Sequence, residues 1–192
     1  MGVFDAASMG RWGSVRRSVL LDRVGPMITG MPSALVLIDL MPRIIALPLA
    51  PRTGEEVLQR GRELAESFRV RKRPVVMVRA ERPGVAEQPP GSGFADGLVH
   101  DGDLVVVKRT VGAFYGTGLN ERLRALGVDT LVLAGLVTSM GVESTARAAS
   151  DHGYRLEFVA DAMSALAADE HDFAVERIFP RFGEVRMTSD YR

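Results

Sequence analysis

From residue 33 onward, short apolar runs alternate with stretches of helical periodicity, and this alternation restricts the fold more than any other feature. Ala34-Leu-Val-Leu-Ile-Asp39 is nearly continuous in its apolar residues, the pattern of a strand buried on both faces. Residues 75–80, 104–108, 130–134, 155–160 and 184–188 repeat it. Helical segments lie between them. Thr53 with Glu56 three residues on makes a capping box, and Val57, Leu58, Gly61, Leu64, Ala65 and Phe68 then share one helical face. Leu119, Leu123 and Leu126 mark a helix closed by Gly127. Further helices are expected from about Gly141 to His152 and from about Asp169 to Phe179. Strands alternating with helices predict one α/β domain over residues 33–192, a parallel sheet with helices on both faces. Residues 81–103, rich in Pro and Gly, form a long connection of the kind that is usually functional or flexible.

Composition narrows the function. The 24 basic and 24 acidic side chains cancel, which argues against a nucleic-acid partner or a membrane-surface protein. At 46% hydrophobic and 25% charged, the 192 residues describe a globular chain of one-domain size. No run reaches the ~18 apolar residues of a membrane span. The short run Val19–Leu21 is broken by Asp22 and Arg23 before it reaches signal-peptide length, so a cytoplasmic location is expected. Residues 1–32, rich in Gly, Ser and Met, read as an N-terminal arm that packs on a neighbour or as a partly disordered tail. The apolar stretch Ile44-Ile-Ala-Leu-Pro-Leu49 suits either an oligomer interface or a cover for the domain's own core. There is no cysteine, which excludes disulfides, thiolate metal sites and a thiol nucleophile. Three histidines (His100, His152 and His171) argue against a His-rich metal site.

In open α/β sheets, ligands bind outside the carboxyl ends of the strands. Asp39 ends the first strand, Lys108 ends the third, and Gly135-Leu-Val-Thr-Ser-Met-Gly141 follows the fourth. A carboxylate at the end of a buried strand needs a partner, and Lys108 is the candidate. The helix start near Met140 and Gly141 offers backbone N–H groups to an anion or a developing oxyanion. Each residue also has a plainer reading: Asp39 as a turn residue, Lys108 with its ammonium in water, the glycines as tight geometry.

The stretches Ala34–Asp39, Val106-Val-Lys108, Ala113-Phe-Tyr-Gly-Thr-Gly118, Gly135-Leu-Val-Thr138, Val142-Glu-Ser-Thr-Ala-Arg147, Gly153-Tyr154, Asp161-Ala162 and Phe182-Gly183 come in a familiar order and spacing. Over about residues 33–190 the chain resembles the isochorismatase-like hydrolase superfamily. The resemblance implies a six-stranded parallel sheet flanked by helices, a small-molecule substrate and a homo-oligomer, dimer or tetramer. Most members of that family use an aspartate, a lysine and a cysteine. The matching positions here are Asp39, Lys108 and Gly141, so the nucleophile is missing. Ser139 and Ser144 stand off the matched turn position. Without a thiolate, the amide-hydrolysing route of nicotinamidases and carbamoylsarcosine hydrolases has no thioester to form.

The isochorismatases proper also lack the cysteine and cleave a vinyl ether, with the aspartate as general acid. The resemblance therefore implies a cysteine-independent hydrolase of a small metabolite, with Asp39 as general acid or base assisted by Lys108. Burial of Asp39 favours its proton and the Lys108 ammonium opposes it. A catalytically silent member, binding a small ligand or a partner protein, is the alternative. Met41 replaces a usual Gln, and Val78-Arg79-Ala80-Glu81 replaces the usual histidine or Tyr-Thr-Ala-Gln run, so neither zinc nor a cofactor is expected. Arg79 offers a planar fork to a substrate carboxylate, or pairs with Glu81. Phe114 and Tyr115 can wall a planar substrate or pack in the core. His171 reads as structural or oligomeric, and Glu143 with Arg147 as a helical i,i+4 pair.

Overall fold

A computed structural model describes residues 32–192, and the expected N-terminal arm lies outside the described residues. Six strands, β1 (Ser33–Ile38), β2 (Val75–Ala80), β3 (Leu104–Lys108), β4 (Thr130–Leu136), β5 (Arg155–Ser164) and β6 (Gly183–Arg186), form one sheet in the order β3-β2-β1-β4-β5-β6. Every pairing is parallel. The central strands β1 and β4 are buried along their whole length, which is why their sequences are apolar without alternation. Successive β1 residues feed opposite layers. Leu35 and Leu37 pack in the layer that holds Val57, Leu64 and Phe68 of α2 (Gly54–Val70). Val36 and Ile38 face the layer containing Leu123 of α3 (Leu119–Ala125) and Ala146 of α4 (Glu143–Asp151). Each fully buried side chain of the size of Phe68 or Leu37 contributes about 1.5–3 kcal/mol. The Thr53–Glu56 capping box closes the first turn of α2.

The chain winds outward from β1 through β2 to β3 and from β4 through β5 to β6, so its direction reverses between β1 and β4. That switch point is where an open α/β sheet leaves a crevice at its carboxyl edge. Gly135 permits the close approach there. Its φ is +116°, and a Cβ would lie 2.2 Å from the Ile38 carbonyl oxygen.

Several element ends differ from the sequence reading. β5 continues to Ser164, because its small residues Ala160, Ala162 and Ser164 stay buried beyond a register shift opposite Leu133 and Gly135. The helix expected from Gly141 begins as a wide turn over Thr138–Val142 and becomes regular only in α4. The helix expected from Asp169 to Phe179 divides into α5 (Ala168–Phe173), a wide turn (Ala174–Ile178) and a 3₁₀ turn (Phe179–Arg181). Pro180, which has no N–H to give, sits in that last turn. β6 stops at Arg186, short of the expected Thr188, because the buried Asp161 carboxylate takes both the N–H and the hydroxyl of Thr188, at 2.7 and 2.9 Å. Within the apolar stretch 44–49, Ile45 joins the α2 layer and Leu49 packs against it, whereas Leu47 is exposed. Among the described residues, no helix is long and apolar enough to cross a membrane.

Candidate active site

Asp39 is the first residue past β1 and adopts a left-handed backbone, φ +53°. A residue with a Cβ enters that region at a cost of about 1–2 kcal/mol, least for Asp and Asn. Its N–H donates to the Val78 carbonyl and its own carbonyl accepts from Met41, both at 2.8 Å, so the turn is fixed from both sides. The turn carries the carboxyl group toward the end of β3. There Lys108 Nζ donates to Asp39 Oδ2 at 2.8 Å and to the Val111 carbonyl at 2.6 Å. The Lys108 side chain is 2% exposed and that of Asp39 14%, so water screens the pair poorly. Asp39 Oδ1 is buried and has no hydrogen-bond partner among the described residues.

Burial pushes the Asp39 carboxyl above the ordinary aspartate range; the Lys108 ammonium and, more weakly, Arg43 pull the other way without reversing it. Burial thus acts in the direction that a general acid needs. Oδ2 accepts from the ammonium, which leaves Oδ1 as the oxygen open to a proton.

Gly141 completes the floor. A Cβ built on it would lie 3.2 Å from Asp39 Oδ2 and 3.2 Å from Lys108 Nζ. Any side chain at this position would bear directly on both charged groups. The Gly141 carbonyl accepts from the Thr145 hydroxyl at 2.7 Å, and Thr145 Oγ1 in turn accepts the Ala113 N–H at 3.1 Å. Thr145 thereby ties the wide turn to the loop whose Val111 carbonyl holds Lys108. Thr138, at the start of that turn, bonds His171 Nδ1 at 2.9 Å, and both residues are buried. Burial and the charge of Arg52 hold the His171 imidazole below its ordinary pKa, with Asp172 opposing weakly.

Above these groups opens a cavity of about 250 Å³, lined by Asp39, Lys108 and Gly141 at its base and by Leu47, Met140 and Leu166 among its walls. Of the residues singled out from the sequence, Asp39, Lys108, Met140 and Gly141 meet here. Met140 does so with its side chain, since its N–H is taken by the Val137 carbonyl at 3.1 Å. Its expected role as an oxyanion donor is corrected accordingly. Arg79, Phe114 and Tyr115 stand off the cavity. Arg79 is held by Glu81 at 2.8 Å. Phe114 is buried against His152 and Tyr154, with ring centroids 5.1 and 6.0 Å away. Tyr115 is 82% exposed and borders a separate surface cleft with Glu81 and Arg109. Glu143 and Arg147 form their i,i+4 pair at 2.7 Å.

Thr145 and the Thr138–His171 bond escaped the sequence reading. Thr145 stands four residues after Gly141, the spacing at which a hydroxyl reaches back to a helical carbonyl, and that was the available signal. Among the described residues, no three His, Asp or Glu side chains converge as a metal-ligand set.

A family model, the Isochorismatase domain, matches residues 33–190. The isochorismatase family protein YecD of Escherichia coli O157:H7 is 37% identical over 175 residues, covering 82% of this chain and 93% of that protein. The structure of an isochorismatase family protein from Burkholderia thailandensis aligns with TM-score 0.77 at 39% identity, covering 83% of this chain and 93% of the other. N-carbamoylsarcosine amidase from Thermoplasma acidophilum aligns with TM-score 0.70 at 31% identity, over 82% and 97% of the two chains. The doubly wound sheet is the frame that the two solved structures share with this chain. The chain belongs to the isochorismatase family and is a hydrolase of that superfamily.

Proposed function

We propose that this hydrolase cleaves a small metabolite without a thiol, using Asp39 as general acid and then general base and Lys108 as its electrostatic support. The observation that carries this reading is the buried Asp39–Lys108 contact of 2.8 Å at the base of an open cavity, with the nucleophile position held by Gly141. The reaction that suits these groups is hydrolysis of an enol ether. The carboxyl proton of Asp39 passes to the terminal carbon of the C=C bond, whose electron pair forms the new C–H bond. The other alkene carbon becomes an oxygen-stabilised cation. Water adds to it and gives a proton to the Asp39 carboxylate; the resulting hemiacetal or hemiketal collapses to a carbonyl compound and an alcohol. One water is consumed and Asp39 is regenerated.

Lys108 holds Oδ2 throughout, which stabilises the carboxylate as the proton leaves. Gly141 leaves room against the pair where a side chain would otherwise project. The family frame and the exposed apolar residues at the cavity mouth support a small-molecule substrate and a homo-oligomeric assembly.

The test is a hydrolysis screen of enol ethers, both uncharged and isochorismate-like, and of small amides, run with wild-type protein and with Asp39→Asn. Turnover of an enol ether, lost in the folded Asp39→Asn protein, is the expected result. Turnover that survives the substitution removes Asp39 from the mechanism. Binding without any turnover favours the catalytically silent reading.

A further inference from the structure

The same cavity also specifies the class of molecule it accepts, a step that rests on reading it as the substrate site. Among the described residues, its charged lining is Asp39 and Lys108 alone, and these hold each other across 2.8 Å. Leu47, Val111, Met140 and Leu166 line it as well, each between 37% and 53% exposed. They come from four separate loops at the carboxyl edge: after α1 (Pro42–Ile45), after β3, in the wide turn after β4, and after β5. An apolar mouth built from four loops leads to the Asp39–Lys108 pair at the base.

Charge and volume agree. A substrate carboxylate entering here would give up its hydration among aliphatic side chains beside Asp39, with no lining cation other than the one Asp39 already holds. Arg79, the residue suited by type to receive a carboxylate, is paired with Glu81 outside the lining. The cavity of about 250 Å³ corresponds to about eight waters at ~30 Å³ each, below the roughly 300–1,000 Å³ of sites for drug-sized ligands. We infer that the site takes a compact, uncharged molecule with an aliphatic body and one polar group bonded to the Asp39–Lys108 pair, and that it discriminates against carboxylated analogues.

The experiment compares butanamide with succinamate, which have the same chain length and differ in a terminal methyl against a carboxylate. Each is titrated at pH 7 into the full chain labelled at the methionine methyls. The Met140 resonance is followed and assigned by its disappearance in Met140→Leu. Butanamide is expected to shift it with a Kd at least about tenfold below that of succinamate, a difference of ~1.4 kcal/mol. Leu166→Lys, which adds a cation at the mouth, is expected to reverse the order. Equal or tighter binding of succinamate by the wild type overturns the inference. So does a Met140 methyl that responds to neither compound, or an order that Leu166→Lys leaves unchanged. The readout is binding, so an enol-ether screen without turnover defeats the proposed reaction and leaves this inference standing on its own result.

Discussion

Replacing Lys108 by Met removes the ammonium while keeping most of the aliphatic stem, and its consequence follows from two contacts. The first is the 2.6 Å bond to the Val111 carbonyl. Loss of this neutral acceptor's partner costs about 1–3 kcal/mol at any pH. The second is the 2.8 Å contact with Asp39, whose other oxygen already lacks a partner. Breaking a buried pair from one side costs about 3–5 kcal/mol, because the remaining charge is left uncompensated. Asp39 has an escape, which is to take a proton. Its carboxyl is already raised by burial, and loss of Lys108 removes the main influence holding it down. A carboxyl raised in the folded state contributes stability that is present below its unfolded pKa, about 3.9, and lost as pH rises through the folded pKa.

The pH-dependent part of the Lys108→Met penalty is therefore small near pH 4 and grows with pH, at most about 1.4 kcal/mol per unit for one proton. It levels off above the variant's own raised pKa. Urea unfolding of wild type and variant at pH 5 and pH 8 measures it, and a penalty larger by about 2 kcal/mol at pH 8 is expected. A penalty independent of pH would refute the reasoning, since the carboxyl would then not be the group left stranded.

Three further outcomes follow. Asp39→Asn keeps an oxygen that accepts from Lys108 but cannot donate an acid proton; kcat on an enol-ether substrate should fall by about 10²–10⁴ with the fold intact by circular dichroism. Gly135→Ala places a Cβ 2.2 Å from the Ile38 carbonyl oxygen at φ +116° and should destabilise by more than about 2 kcal/mol in thermal or urea melts, displacing the strand end that carries Asp39. The lowered pKa of buried His171 means that stability is lost as pH falls below the ordinary imidazole value, about 6.5, toward the folded one; His171→Gln should flatten the stability profile in that acid range.

The sheet was legible because β1 and β4 are buried on both faces, a condition that leaves an uninterrupted apolar run in the sequence. The ends of elements were less so. The extension of β5 depends on small residues that neighbouring strands bury, and the early end of β6 depends on Asp161 reaching Thr188 from 27 residues away. At the site, Asp39 and Lys108 could be singled out since a charge closing an apolar run is conspicuous. Their contact depends on a left-handed turn at Asp39 and a loop carbonyl at Val111, neither of which leaves a periodic signature. Arg79, Phe114 and Tyr115 were placed by residue type and proximity along the chain. Glu81 takes the first, the core takes the second, and the third faces solvent. The wall residues Leu47 and Leu166 come from loops more than a hundred positions apart, which no local pattern links.

Whether burial outweighs the neighbouring ammonium at Asp39 decides if this site can supply a proton without a sulfur. A carboxyl-carbon NMR titration of wild-type protein, with Asp39 assigned by its absence in Asp39→Asn, answers this directly. The account predicts a midpoint above the ordinary aspartate value of about 3.9. A midpoint at or below that value would contradict it.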